Sequence, residues 1–198
     1  MATYASIKYD MDLASSATGA GALTLLATWT ASGDSTLSFT SNIDSTYDEY
    51  VFKFYDLNPA TDDKKFQFNL SADGGSNYNV TKTTTFFSAY HDESDTATNL
   101  GYRTGNDLAQ GTGVQFFTDS AGNGSDESAA GELHLFAPSS TTFVKHFYSR
   151  TSTYYTSNYA FDVFVAGYAN TTSAVNAVQF SVESGGNFDG VIKMYGVS

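Results

Sequence analysis

Apolar and polar residues alternate along most of the chain with a period of two, the spacing at which successive side chains of an extended strand face opposite ways. Leu23, Leu25, Ala27 and Trp29 share one side of the first such segment, and Leu37 with Phe39 repeats the pattern. Between Tyr50 and Leu57 the alternation sets Tyr50, Phe52 and Phe54 against Val51, Lys53 and Tyr55; Phe66, Phe68 and Leu70 then oppose Gln67 and Asn69. The second half continues with Val114 and Phe116, Leu133 and Leu135, Phe143, Phe161 with Val163 and Val165, Val178 with Phe180 and Val182, and Ile192 with Met194. Roughly ten short strands follow, as an antiparallel sandwich requires.

The pieces between them carry turn chemistry. Asp73-Gly74-Gly75-Ser76-Asn77 supplies residues that tolerate positive φ and predicts a tight hairpin. Asp119 to Ser128 mixes Gly, Asn, Ser and acids and predicts a long surface loop, while Ser184-Gly185-Gly186-Asn187 turns the chain into its last strand. Three stretches break the alternation. His91 to Asp107 is acidic and loop-like; Tyr148 to Tyr159 sets four tyrosines among Ser and Thr; residues 1–20 end in the small-residue run of a flexible connector. The expected organisation is an N-terminal arm over residues 1–20 and a single all-β, jelly-roll-like antiparallel sandwich over 21–198.

Composition narrows the chemistry. Sixteen Phe and fourteen Tyr in 198 residues suit half-buried pleated sheets. The absence of Cys excludes disulfides, thiolate nucleophiles and thiolate metal sites. Nine Lys and Arg against 21 Asp and Glu leave a net charge of -12, which repels phosphate backbones and anionic lipid, so neither nucleic acid nor membrane insertion is expected. No apolar run approaches the roughly 20 residues of a transmembrane helix. Met1 to Asp10 lacks the basic and apolar regions of a secretory signal, so synthesis in the cytoplasm is expected.

Catalytic and metal-binding patterns are sparse. His134 lies between Leu133 and Leu135 and so faces away from that core pair; His146 follows Lys145 on a strand; His91 precedes Asp92 and Glu93 in a loop. All three read as surface or interface histidines rather than ligands. Carboxylates are adjacent at Asp62 and Asp63, Asp92 and Glu93, and Asp126 and Glu127, the residue type a glycosidase uses, but each pair sits among polar loop residues with nothing apolar to raise a pKa. Asp119 to Glu127 is rich in oxygen donors without the ligand spacing of a Ca²⁺ loop. No catalytic residue, metal ligand or cofactor site is assigned. Tyr154, Tyr155 and Tyr159 are the candidate recognition residues, since exposed Tyr offers a large contact area at low entropic cost and stacks on sugars and proteins alike.

The order of segments carries a resemblance. Gly21-Ala22-Leu23-Thr24-Leu25-Leu26, Ser38-Phe39-Thr40-Ser41, Ile43 to Phe52 and Leu57-Asn58-Pro59-Ala60-Thr61-Asp62 are followed by Phe66 to Tyr78, Gly131 to Phe136 and Gly190 to Val197. Over roughly residues 19–198 this series resembles a β module of tailed-bacteriophage structural proteins, notably phages of aquatic bacteria, found in tail fibres and in capsid or tail appendages. The resemblance implies a homotrimer located in the virion. A module preceded only by a short arm implies a capsid decoration or cement protein, a capsid fibre, or a small tail component. Tyr4, Ile7, Tyr9 and Leu13 of the arm are then the residues expected to order against a partner virion protein. The rival expectation is a receptor- or carbohydrate-binding module that reads a host-surface glycan through Tyr148 to Tyr159.

Overall fold

The computed structural model describes residues 21–198. The expected docking arm, with Tyr4, Ile7, Tyr9 and Leu13, lies outside them. Twelve strands occur among the described residues: β1 (Leu23–Asp34), β2 (Thr36–Phe39), β3 (Glu49–Pro59), β4 (Phe66–Ser71), β5 (Lys82–Asp92), β6 (Thr98–Tyr102), β7 (Gln115–Phe116), β8 (Ala129–Phe136), β9 (Lys145–Tyr155), β10 (Tyr159–Ala169), β11 (Ala177–Val182) and β12 (Phe188–Val197). They form two antiparallel sheets, one ordered β1-β12-β3-β8-β9-β10-β5-β6 and the other β2-β11-β4-β7. No helix among these residues is long and apolar enough to cross a membrane.

The topology is that of a jelly roll with two insertions. Setting aside β5–β6 and β9–β10, the chain pairs first strand with last and works inward, as β1 with β12, β2 with β11, β3 with β8 and β4 with β7. That is one long hairpin rolled into two four-stranded sheets. Both insertions add to the same sheet, which therefore extends well past its partner.

The core between the sheets is aromatic. Tyr50, Phe52 and Phe54 of β3, Phe66 and Phe68 of β4, and Phe117 are buried as their alternation predicts or by the cover described below. Phe180 of β11 sits at the centre, with ring centroids of Phe52 and Phe54 at 5.3 Å and those of Phe39 and Phe117 at 6.0 Å. Edge-to-face geometry of this kind adds to area burial because each ring edge meets a negative face.

Several expectations are corrected by the sheet geometry. A β-bulge between Leu25 and Ala27 reverses the facing of β1: Leu23 and Leu25 lie opposite Val197 and Tyr195, whereas Ala27 and Trp29 lie opposite the buried Met194 and Ile192. Gln115 and Phe117 are buried in place of Val114 and Phe116, and Phe143 is an exposed loop residue. Gly74 and Gly75 do take positive φ, but β4 and β5 belong to different sheets, so the turn is a crossover and not a hairpin. Asp73 holds it by accepting from the Ser71 hydroxyl and from the Asn77 backbone and side-chain amides. The loop from Asp119 to Ser128 is partly buried, because Ala121 bridges Lys64 on one side and Tyr155 on the other. His91 to Asp107 includes strand β6, and Tyr148 to Tyr159 belongs to the regular β9–β10 hairpin.

Candidate functional site

The overhang of the large sheet creates a problem that the chain between β6 and β8 solves. Phe147 of β9 still meets Phe68 of the small sheet, with ring centroids 5.3 Å apart, but beyond that contact irregular backbone covers inner positions of β9 and β5. Such backbone must find hydrogen-bond partners once buried. The inner positions of β5 and β9 accordingly carry Lys82, Thr84, Ser88, Ser149, Thr151 and Thr153, all buried. Thr84 N–H donates to the Leu108 carbonyl, the Thr84 hydroxyl accepts from Leu108 N–H, and the Thr151 hydroxyl donates to the Phe117 carbonyl.

The cover leaves a cleft of about 500 Å³ where β9 turns into β10, within the range of roughly 300–1,000 Å³ seen for small-ligand sites. Tyr155 and Tyr159 are cross-strand partners in β9 and β10, joined by the three-residue turn Thr156-Ser157-Asn158 with Asn158 at φ 63°, so both rings point inward. Tyr90, Phe161 and Tyr155 stand in a row with successive centroids 5.0 Å apart, and Tyr159 meets Tyr90 and Tyr155 edge-on at 5.4 and 5.8 Å. Burial pushes the Tyr155 hydroxyl above its ordinary pKa, and the carboxylates of Asp63 and Asp119 act in the same direction. Lys65, Arg103, Asn106, Asp119 and Ser157 complete the lining. Arg103 Nε donates to Ser88 Oγ at 3.0 Å, and its guanidinium lies 5.7 Å from the Tyr90 ring centre.

Tyr154, adjacent in sequence, faces the other way. Its hydroxyl donates to Glu93 at 3.0 Å, and that hydrogen bond, with burial and the nearby Asp126 and Glu127, raises its pKa. It lies beside a shallow trough of about 840 Å³ on the outer face of the large sheet, floored by Ala89, Ala130, Ser152 and Ala160. The cations of that trough are paired: Arg150 forks onto Asp162 at 3.1 and 2.8 Å, and Lys53 stands 3.6 Å from Glu132. The three candidate tyrosines therefore serve two different surfaces, and the cleft members Tyr90, Lys65 and Arg103 carry no sequence signal that sets them apart.

The remaining candidate groups are engaged locally. Asp92 accepts from the amides of Thr96 and Ala97 and from the hydroxyls of Ser94 and Thr96; the Thr96 hydroxyl, first among these, holds its carboxyl far below the usual range. Asp62 accepts from the Thr156 hydroxyl at 2.6 Å, and Glu127 caps Gly124 N–H at 2.7 Å. His134 stacks on Tyr148 with centroids 4.4 Å apart and contacts Glu49 across the strand pair; His91 contacts Asp95; His146 is exposed. No group of three or more metal-ligating side chains occurs among the described residues.

Against known proteins, the chain matches no family model, and no curated protein sequence matches it.

Proposed function

We propose that the protein is a non-enzymatic structural component of a phage virion, a capsid decoration or cement protein, capsid fibre or small tail component, that assembles as a homotrimer and docks on other virion proteins. The observation that carries this reading is the edge strand β1. It is 12 residues long, pairs only with β12 in its sheet, and exposes Leu23 and Leu25 at about half their surface, with Trp29 similarly exposed on the other face. A long apolar edge is a template for association unless something covers it. The edge also leads directly from residues 1–20, the segment whose sequence fits docking. The jelly-roll fold and the order of segments that resembles phage modules support the same conclusion.

Immunogold labelling of purified particles of the encoding phage tests the proposal. Label over the icosahedral shell supports decoration, cement or capsid fibre, and label on the tail supports a tail component. Particles free of label, with the protein left in the lysate, would refute a virion role. A second reading, host-glycan binding, is favoured by the tyrosine-lined cleft and is developed next.

A further inference from the structure

Arg103 is the feature of the cleft that its packing leaves unexplained. Nε is fixed by the fully buried Ser88, yet among the described residues neither terminal amino group of the guanidinium has a hydrogen-bond or ion-pair partner. Arg150, by contrast, spends its fork on Asp162. A fixed, unspent guanidinium matches the two oxygens of a carboxylate. Lys65 in the same lining stands 3.9 Å from Glu183 and Asp119 adds a negative group, so among the described residues Arg103 is the unpaired cation that draws an anion to this corner, on a chain whose net charge is -12. Around the same cavity stand three tyrosine rings, the surface on which the apolar face of a sugar ring stacks while the phenol hydroxyls and Asn106 meet its hydroxyl groups.

We propose that the cleft binds a carboxylated sugar, such as a hexuronic acid within a polysaccharide, with its carboxylate on Arg103 and its ring among Tyr90, Tyr155 and Tyr159. This inference concerns the isolated protein and stands whether or not the virion reading holds.

Isothermal titration of the purified full chain with tetragalacturonic acid, and with the same tetrasaccharide as its methyl ester, tests the assignment. The acid is expected to bind saturably and at least tenfold more tightly than the ester, with binding weakened by added salt. Arg103→Met and Tyr159→Ala are each expected to weaken it at least tenfold, and Arg103→Lys by less. Absence of binding, equal binding of acid and ester, or equal binding of a tetraglutamate peptide would overturn the proposal. If Arg103→Met fails to fold, the acid–ester comparison on the unmodified protein decides.

Discussion

Lys82 Nζ lies 2.5 Å from Asn69 Oδ1 and 2.8 Å from the Val80 carbonyl, on a side chain with no exposed surface and with only neutral partners. Burial lowers its pKa from the ordinary 10.5 to about 8. Between those values the unfolded chain binds more protons than the folded one, so stability attributable to this residue rises with pH from about 8 to about 10.5; below pH 8 both states are charged and the burial cost is constant. Lys82→Met is expected to raise stability at pH 7 by about 1–3 kcal/mol, a gain that fades by pH 10.5. Denaturant titrations of both proteins at several alkaline pH values measure this; parallel pH profiles would refute it.

Phe180 is the most connected ring of the core. Its truncation removes contacts with rings from β2, β3 and the segment around Phe117 at once. Phe180→Ala is expected to cost about 3–5 kcal/mol, read from the midpoint of a guanidinium titration. A loss under about 1 kcal/mol would mean that the sheets close over the space.

Asp92 organises the connection from β5 to β6 through four hydrogen bonds to its carboxylate. Because its folded pKa lies below the unfolded value, its contribution is complete above about pH 4 and is lost as the pH falls further. Asp92→Ala should lower the melting temperature at pH 6, flatten the acid limb between about pH 4 and 2, and speed amide exchange at Thr96 and Ala97. An unaltered acid limb would show that the turn holds without the carboxylate.

Gly131 of β8 has no room for a side chain. A Cβ there would come 2.3 Å from the Arg150 carbonyl oxygen and 2.7 Å from Thr151 Cα, both backbone atoms of the neighbouring strand. Gly131→Ala is expected to destabilise by about 1–3 kcal/mol or more, whereas Ser152→Ala, exposed on the next strand, should be nearly silent. Matching thermal melts for the two variants would contradict this packing.

Much of the sandwich was legible locally. Strands whose alternation was unbroken, such as Tyr50-Phe52-Phe54 and Val178-Phe180-Val182, bury the residues their period assigns. The errors cluster where something non-local intervenes: the bulge in β1, the Gln115 amide that donates to the Asn106 and Phe116 carbonyls and leaves its oxygen to accept from Thr84, and a polar loop drawn inward by pairing at Ala121. For the candidate site, Tyr154, Tyr155 and Tyr159 were visible as a cluster, but their division between two faces was obscured by the lack of apolar contrast in a Tyr, Ser and Thr segment.

The sequence by itself determined an all-β chain with aromatic inner faces, because the two-residue period is a property of extended backbone and needs no partner. Tertiary structure alone decided that both insertions widen one sheet, that Lys82 and Lys145 are buried, and that Tyr90, Arg103, Asp119 and Tyr159 meet at one cleft. Those outcomes depend on which strands share hydrogen bonds and on what covers an unpaired face, and both are set by contacts between residues far apart in the chain.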